Sequence, residues 1–174
     1  MRMALIGPRG SGKSTVSQLL TERLRYPLSS TDELVESVMG APISQIVESK
    51  GWPAFRAGET QCLRQIINDE APNVIVDCGG GIIESEINHD LLAQLDCVVF
   101  LNAKPETLVK RLTGEMDQRP SLTKSGDELA EMKQICSRRL PLYQQIADLE
   151  VKTTFLRPDE IASIIISSLN MIEG

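Results

Sequence analysis

Short apolar runs alternate with amphipathic stretches along the chain. "MRMALI" (residues 1–6) is a brief apolar run before a glycine-rich loop. In "VSQLLTERL", Val16, Leu19, Leu20 and Leu24 recur at the spacing of a helix with one buried face. "NVIVD" (73–77) and "DCVVFLN" (96–102) are continuous apolar runs rich in β-branched residues. Such runs read as strands buried on both faces, as in a parallel sheet. "KPETLVKRL" predicts a helix starting near Pro105, and "RPDEIASIIISSLNMI" an amphipathic helix with Pro158 in its first turn. "DELAEMKQICSRRLPLYQQIA" predicts a long helix kinked or broken at Pro141, whose ring removes a backbone donor. Strand–helix alternation of this kind predicts an α/β sandwich around a mainly parallel sheet, with ligands at the carboxyl ends of the strands.

Two stretches interrupt the alternation. Residues 31–70 hold helical patterns and no strand. Residues 113–126, "TGEMDQRPSLTKSG", are polar and poor in apolar anchors, which fits either a surface loop or a lid. A length of 174 residues suits one domain, 1–174. The formal net charge of −6 argues against non-specific binding to nucleic acid or to an anionic membrane, since both repel an acidic surface. Any anionic ligand must therefore be held by local positive groups. Cys62, Cys78, Cys97 and Cys136 show no C-x-x-C spacing, which predicts free thiols in a reducing compartment. The first apolar run is too short for a signal peptide, and no stretch approaches 18 uninterrupted apolar residues. The expectation is a cytoplasmic protein, monomeric by default.

One motif decides the class of chemistry. "GPRGSGKST", Gly7 to Thr15, matches G-x-x-x-x-G-K-[ST] between an apolar strand and a helix. That is the setting of a phosphate-binding P-loop. Gly10, Ser11 and Gly12 turn successive N–H groups inward as an anion nest, and the helix N-terminus adds its partial charge. Lys13 reaches the β- and γ-phosphates, the Ser14 hydroxyl ligates Mg2+, and Thr15 continues the nucleotide contact. A guanine reader of the form N-K-x-D is missing; the nearest stretch, "NAKP" at 102–105, lacks both its lysine and its aspartate. ATP is therefore the expected nucleotide. A small P-loop protein with a helical insertion and a late polar segment reads as a small-molecule kinase.

The order of the remaining motifs narrows this. "STDELVE", "FRAGE", "DCGGG", "RP" and "RRLPLY" follow the P-loop at spacings that make the chain resemble the shikimate kinase family over nearly its whole length. The resemblance implies a three-layer α/β sandwich with a five-stranded parallel sheet, a P-loop kinase fold of the nucleoside monophosphate kinase type. It also implies a substrate-binding helical region at 31–70 and an arginine-bearing lid at 113–126. The implied reaction moves the γ-phosphate of MgATP to the 3-hydroxyl of shikimate, in the synthesis of chorismate and the aromatic amino acids. Another hydroxy acid such as gluconate, or a non-catalytic nucleotide-binding role, are the rival readings.

The residue chemistry agrees with that implication. Shikimate is a carboxylate bearing three hydroxyls. Arg56 and Arg139 suit its carboxylate, which guanidinium binds bidentately. Asp32 suits the hydroxyls, accepting the attacking proton or orienting the group. Gly79, Gly80 and Gly81 let backbone approach the ring where a Cβ would clash. Arg119 in the polar segment would neutralise transition-state charge at the γ-phosphate. By resemblance, Arg111 and Arg157 flank the adenine. Plainer readings stand beside these: Ser30 and Glu33 form a capping box with Asp32 in the first turn, Arg56 and Glu59 form a surface pair at helical spacing, Arg119 is an ordinary loop arginine, and Arg138 is solvated surface.

The chain departs from the family pattern at two positions of one site. Where the family has D-x-D after the second strand, this sequence has Ser30-Thr31-Asp32. A hydroxyl is a weaker partner for a hard cation than a carboxylate. Asp77, at the end of "NVIVD", is a second departure: it lies where many P-loop proteins keep a metal-side aspartate and where this family commonly has a small or hydroxyl residue. The paired departure leads to the expectation that the charge missing at 30 reappears at 77. The alternative is that Asp77 caps the turn or pairs with a nearby cation. His89 has no role assigned.

Overall fold

The computed structural model describes residues 1–69, 71–113 and 127–172, with side chains of the last helix described up to Leu169. Five strands form one sheet: β1 (Arg2–Ile6), β2 (Leu28–Ser30), β3 (Val74–Asp77), β4 (Cys97–Asn102) and β5 (Leu149–Lys152). Their order is β2-β3-β1-β4-β5, and every neighbouring pair is parallel. Seven α-helices are described: α1 (Lys13–Leu24), α2 (Thr31–Met39), α3 (Ile43–Asn68), α4 (Glu86–Leu92), α5 (Pro105–Thr113), α6 (Glu128–Ile146) and α7 (Pro158–Ile172). A 3-10 turn, Ile82–Glu84, follows the three glycines.

Side-chain alternation explains why the sheet is covered on both faces. Ala4, Ile6, Val74, Val76, Val98 and Phe100 point to one side and meet Leu63, Ile66 and Ile67 of α3, Leu91 and Leu92 of α4, and Tyr143 of α6. Met3, Leu5, Ile75, Cys97, Val99 and Leu101 point to the other and meet Val16 and Leu20 of α1 with Ile161, Ala162 and Ile165 of α7. Helix, sheet and helix form three layers, as expected. The stretch after β2 builds a separate small core, in which Val35, Ile43, Ile46, Phe55 and Cys62 pack together.

Two helices differ from a simple reading of their prolines. α6 runs unbroken through Pro141, so the expected break does not occur. Arg139 and Tyr143 on either side of the proline are buried, and Tyr143 stacks on Phe100 at 4.7 Å, so this stretch of the helix is anchored on the sheet. The long α3 instead bends at Gly51, whose φ of 80° and ψ of 167° lie where only glycine is comfortable. Pro53 follows as the start of its second half, where a missing N–H costs little.

Candidate active site

The P-loop closes the gap between β1 and α1 at the carboxyl edge of the central strand. Gly10 and Gly12 have φ of +79° and +95°, and a Cβ on Gly7 would sit 2.5 Å from Leu101 O. No side chain caps α1, so the N–H groups of its first turn face the cleft as an anion site. Lys13 is almost buried and donates from Nζ to Gly7 O at 2.9 Å and Pro8 O at 3.1 Å. Ser14 and Thr15 are exposed along the same edge. Arg111 is pinned behind the loop, donating to Thr153 O at 2.8 Å and Gly10 O at 3.3 Å. Arg157 is exposed and pairs with Glu160 at 3.5 Å and Asp159 at 3.8 Å. These groups, with Ser11, Ser30, Asp32 and Asp77, line one cleft of about 720 Å3. Arg119 and residues 114–126 lie outside the described residues.

The acidic side of the cleft comes from neighbouring strand ends. Ser30 ends β2, Asp77 ends β3, and the two are register partners in the sheet. Ser30 also caps α2, its Oγ accepting from Glu33 N at 3.3 Å. Next to it, buried Thr31 accepts at Oγ1 from Gly79 N at 2.9 Å, which ties the start of α2 to the glycine stretch. Asp32, half-buried, then stands between the large cleft and a second, small pocket of about 50 Å3. Arg9 and Gly80 are shared by the two cavities as well.

The small pocket gathers Arg56, Glu59, Gly79, Gly80, Gly81 and Arg139 with Trp52 and Phe55. Arg56 lies against both rings, 5.4 and 5.2 Å from their centroids, and pairs with Glu59. Glu59 is completely buried, so the reading of a surface pair is wrong: the second half of α3 turns this face into the molecule. Burial pushes its carboxyl up to about 7 against the pull of Arg56. Among the described residues, Glu59 Oε1 has no hydrogen-bond partner. Arg139 is buried and donates to Gly80 O at 3.3 Å and to Glu84 Oε1 at 3.1 Å. Arg138 is exposed, yet it too pairs with Glu84, so it is not simply solvated. Burial works to raise the Glu84 carboxyl, but Arg139, Arg56 and Arg138 together hold it below its ordinary value.

Each glycine of the triplet abuts a different group. A Cβ on Gly79 would collide with Glu59 and Asp32, and one on Gly81 with the Arg56 guanidinium. At Gly80 it would lie 3.3 Å from Arg9 N and Gly7 O, in the P-loop itself. The bare backbone thus admits side-chain ends of the protein as well as offering an approach for a ligand. Tyr143 donates its hydroxyl to Gly80 O and fixes the stretch from behind.

A phosphate cradle and a guanidinium-lined pocket therefore meet at one aspartate. The profile of the shikimate kinase family matches residues 9–170. The chain belongs to the shikimate kinase family. A shikimate kinase of Dehalococcoides mccartyi is 38% identical over 173 residues, covering 99% of this chain and 95% of that one. One from Leptospira biflexa is 37% identical, covering 95% and 94%. The solved shikimate kinase of Acinetobacter baumannii, in complex with shikimate, superposes with a TM-score of 0.90 at 29% identity, covering 98% and 93% of the two chains. Within this shikimate kinase fold, reasoning from sequence missed Thr31, Glu84 and Tyr143. Glu59 and Tyr143 stood in the motifs "FRAGE" and "RRLPLY", which were the signal available for them; Glu84 stood in none.

Proposed function

We propose that the chain transfers the γ-phosphoryl group of ATP to the 3-hydroxyl of shikimate. The observation that carries this is the sharing of Asp32 between the phosphate cleft and the arginine pocket. A carboxylate acceptor anchored on Arg56 and Arg139 has its far edge at Asp32, and Asp32 faces the phosphate end of the cleft. Asp32 takes the proton of the attacking hydroxyl or orients that hydroxyl in line. Gly79, Gly80 and Gly81 form the wall along which the ring lies. Gly10, Ser11, Gly12, Lys13, Ser14 and Thr15 hold the phosphates of ATP, Arg111 and Arg157 flank the base, and Arg119 neutralises the charge of the moving phosphoryl group.

The donor set also fits Mg2+, which takes oxygen ligands and phosphate oxygens together. Ser14 and Asp77 would hold it, the first by its hydroxyl and the second by its carboxylate, and the ion would supply charge neutralisation at the phosphates. The adjacency of Ser30 and Asp77 supports a carboxylate moved across one strand pair. The proposed working unit is a single chain in the cytoplasm, consistent with four unpaired thiols. ADP release measured with shikimate, with gluconate and with no acceptor tests the assignment. Turnover that requires shikimate is expected; equal or greater turnover with gluconate would overturn it.

A further inference from the structure

The two guanidiniums assigned to the acceptor already hold a carboxylate. Glu84 Oε1 accepts from Arg139 Nε at 3.1 Å and from Arg138 Nη2, while Oε2 lies 3.3 Å from Arg56 Nη2. One side chain thus bridges Arg56 and Arg139 in the manner of a bound acid. Its delivery is not a matter of a loose loop. Glu84 ends the 3-10 turn directly after the glycine triplet, and Glu84 N donates to Gly81 O at 3.0 Å. Asn88 donates to Ile82 O at 2.8 Å, and His89 Nε2 lies 2.7 Å from Ile83 O. The turn is tied to α4 at two consecutive carbonyls.

The pocket in front of these arginines measures about 50 Å3. That is room for a few water molecules, at roughly 10–15 Å3 each, and its lining shares Asp32 with the larger cleft. Glu84 nevertheless keeps about a quarter of its side chain open to solvent, so it has somewhere to go.

We propose that Glu84 is an internal stand-in for the acceptor's carboxylate: it occupies the Arg56–Arg139 pair in the empty protein, and the substrate must displace it to bind. This rests on the reading that Arg56 and Arg139 receive the acceptor's acid group. Glu84 then determines specificity as well as affinity. An incoming acid replaces one carboxylate by another and leaves the guanidiniums satisfied. A neutral polyol offers no such exchange; it either finds Glu84 in place or leaves the arginines without an anion.

Cyclohexanecarboxylate, a ring acid with no hydroxyl to phosphorylate, probes the exchange without the chemistry. Its affinity for the wild type and for Glu84→Gln is measured by calorimetry. At least five-fold tighter binding by Glu84→Gln is expected; equal or weaker binding would show that Glu84 buttresses the arginines, and would overturn the proposal. Wild-type crystals grown with the same acid give a second reading that needs no variant. Glu84 is expected off both Arg56 and Arg139, and a ring acid bound with Glu84 still on both would refute displacement. Shikimate turnover by the wild type is assayed in parallel. If that turnover is missing while Glu84→Gln still binds the ring acid more tightly, the functional assignment fails and the displacement stands.

Discussion

Glu59 carries the least expected chemistry of any single residue in the site. It is fully buried beside Arg56, and burial lifts its carboxyl from 4.5 to about 7. Between those values the folded chain holds a proton at Glu59 that the unfolded chain has released. Stability therefore falls as pH rises from 4.5 to 7, and the full cost is present above that range. Glu59→Gln removes the titration. Denaturant unfolding of both proteins from pH 4 to pH 8 should shift the difference between them toward the variant by on the order of 3 kcal/mol; parallel profiles would show that Glu59 ionises normally. A second residue-level expectation concerns Asp77. Asp77→Asn should raise the Mg2+ concentration for half-maximal turnover roughly ten-fold or more, and adding Ser30→Asp should restore much of it. An unchanged Mg2+ requirement in Asp77→Asn would sink the idea of a relocated carboxylate. That Lys13, Ser14 and Asp32 line one cleft was legible because short motifs fix their positions at the strand ends. The place of Glu84 was not, because its partners are three arginines from α3 and α6 that only the fold brings together.

At the scale of elements, legibility followed burial. β1, β3 and β4 are the inner strands, and their unbroken apolar runs announced them. β2 and β5 are the edges, only three and four residues long, with exposed or half-buried positions that leave no such run. At Pro141 the break that the sequence allowed does not occur: α6 continues through it, its buried face offsetting one lost backbone bond. The bend in α3 has a functional cost attached. Gly51 sets the direction of the half-helix bearing Trp52, Phe55 and Arg56. An added Cβ would meet only Pro53 Cδ at 3.5 Å, so the penalty of Gly51→Ala is conformational. About 1–3 kcal/mol of stability should be lost, and KM for shikimate should rise more than KM for ATP, as steady-state kinetics with each substrate varied in turn would reveal. Equal changes in both would disconnect the bend from the acceptor pocket.

For the whole molecule, the cleft and the small pocket are lined by residues of α1, α2, α3, α5, α6 and α7, so occupancy by the proposed ligands should register in global stability. MgATP at about 100 times its Kd adds about 2.7 kcal/mol. For a chain of this size that corresponds to roughly 5–10 °C in Tm, readable by calorimetric melting; a nucleotide that left Tm unmoved would contradict the cleft assignment. The three glycines beside β3 have a different kind of consequence. At positions 79 and 81 the atoms nearest an added methyl group would be the ends of side chains, Glu59, Asp32 and Arg56. At position 80 it would press on the backbone of another loop. Harm at the outer two positions thus falls on turnover and not on folding. Alanine at either outer position should give cells full of intact, soluble, inert protein, so that abundance and growth on limiting aromatic supplement part company at the two codons flanking one where they decline together.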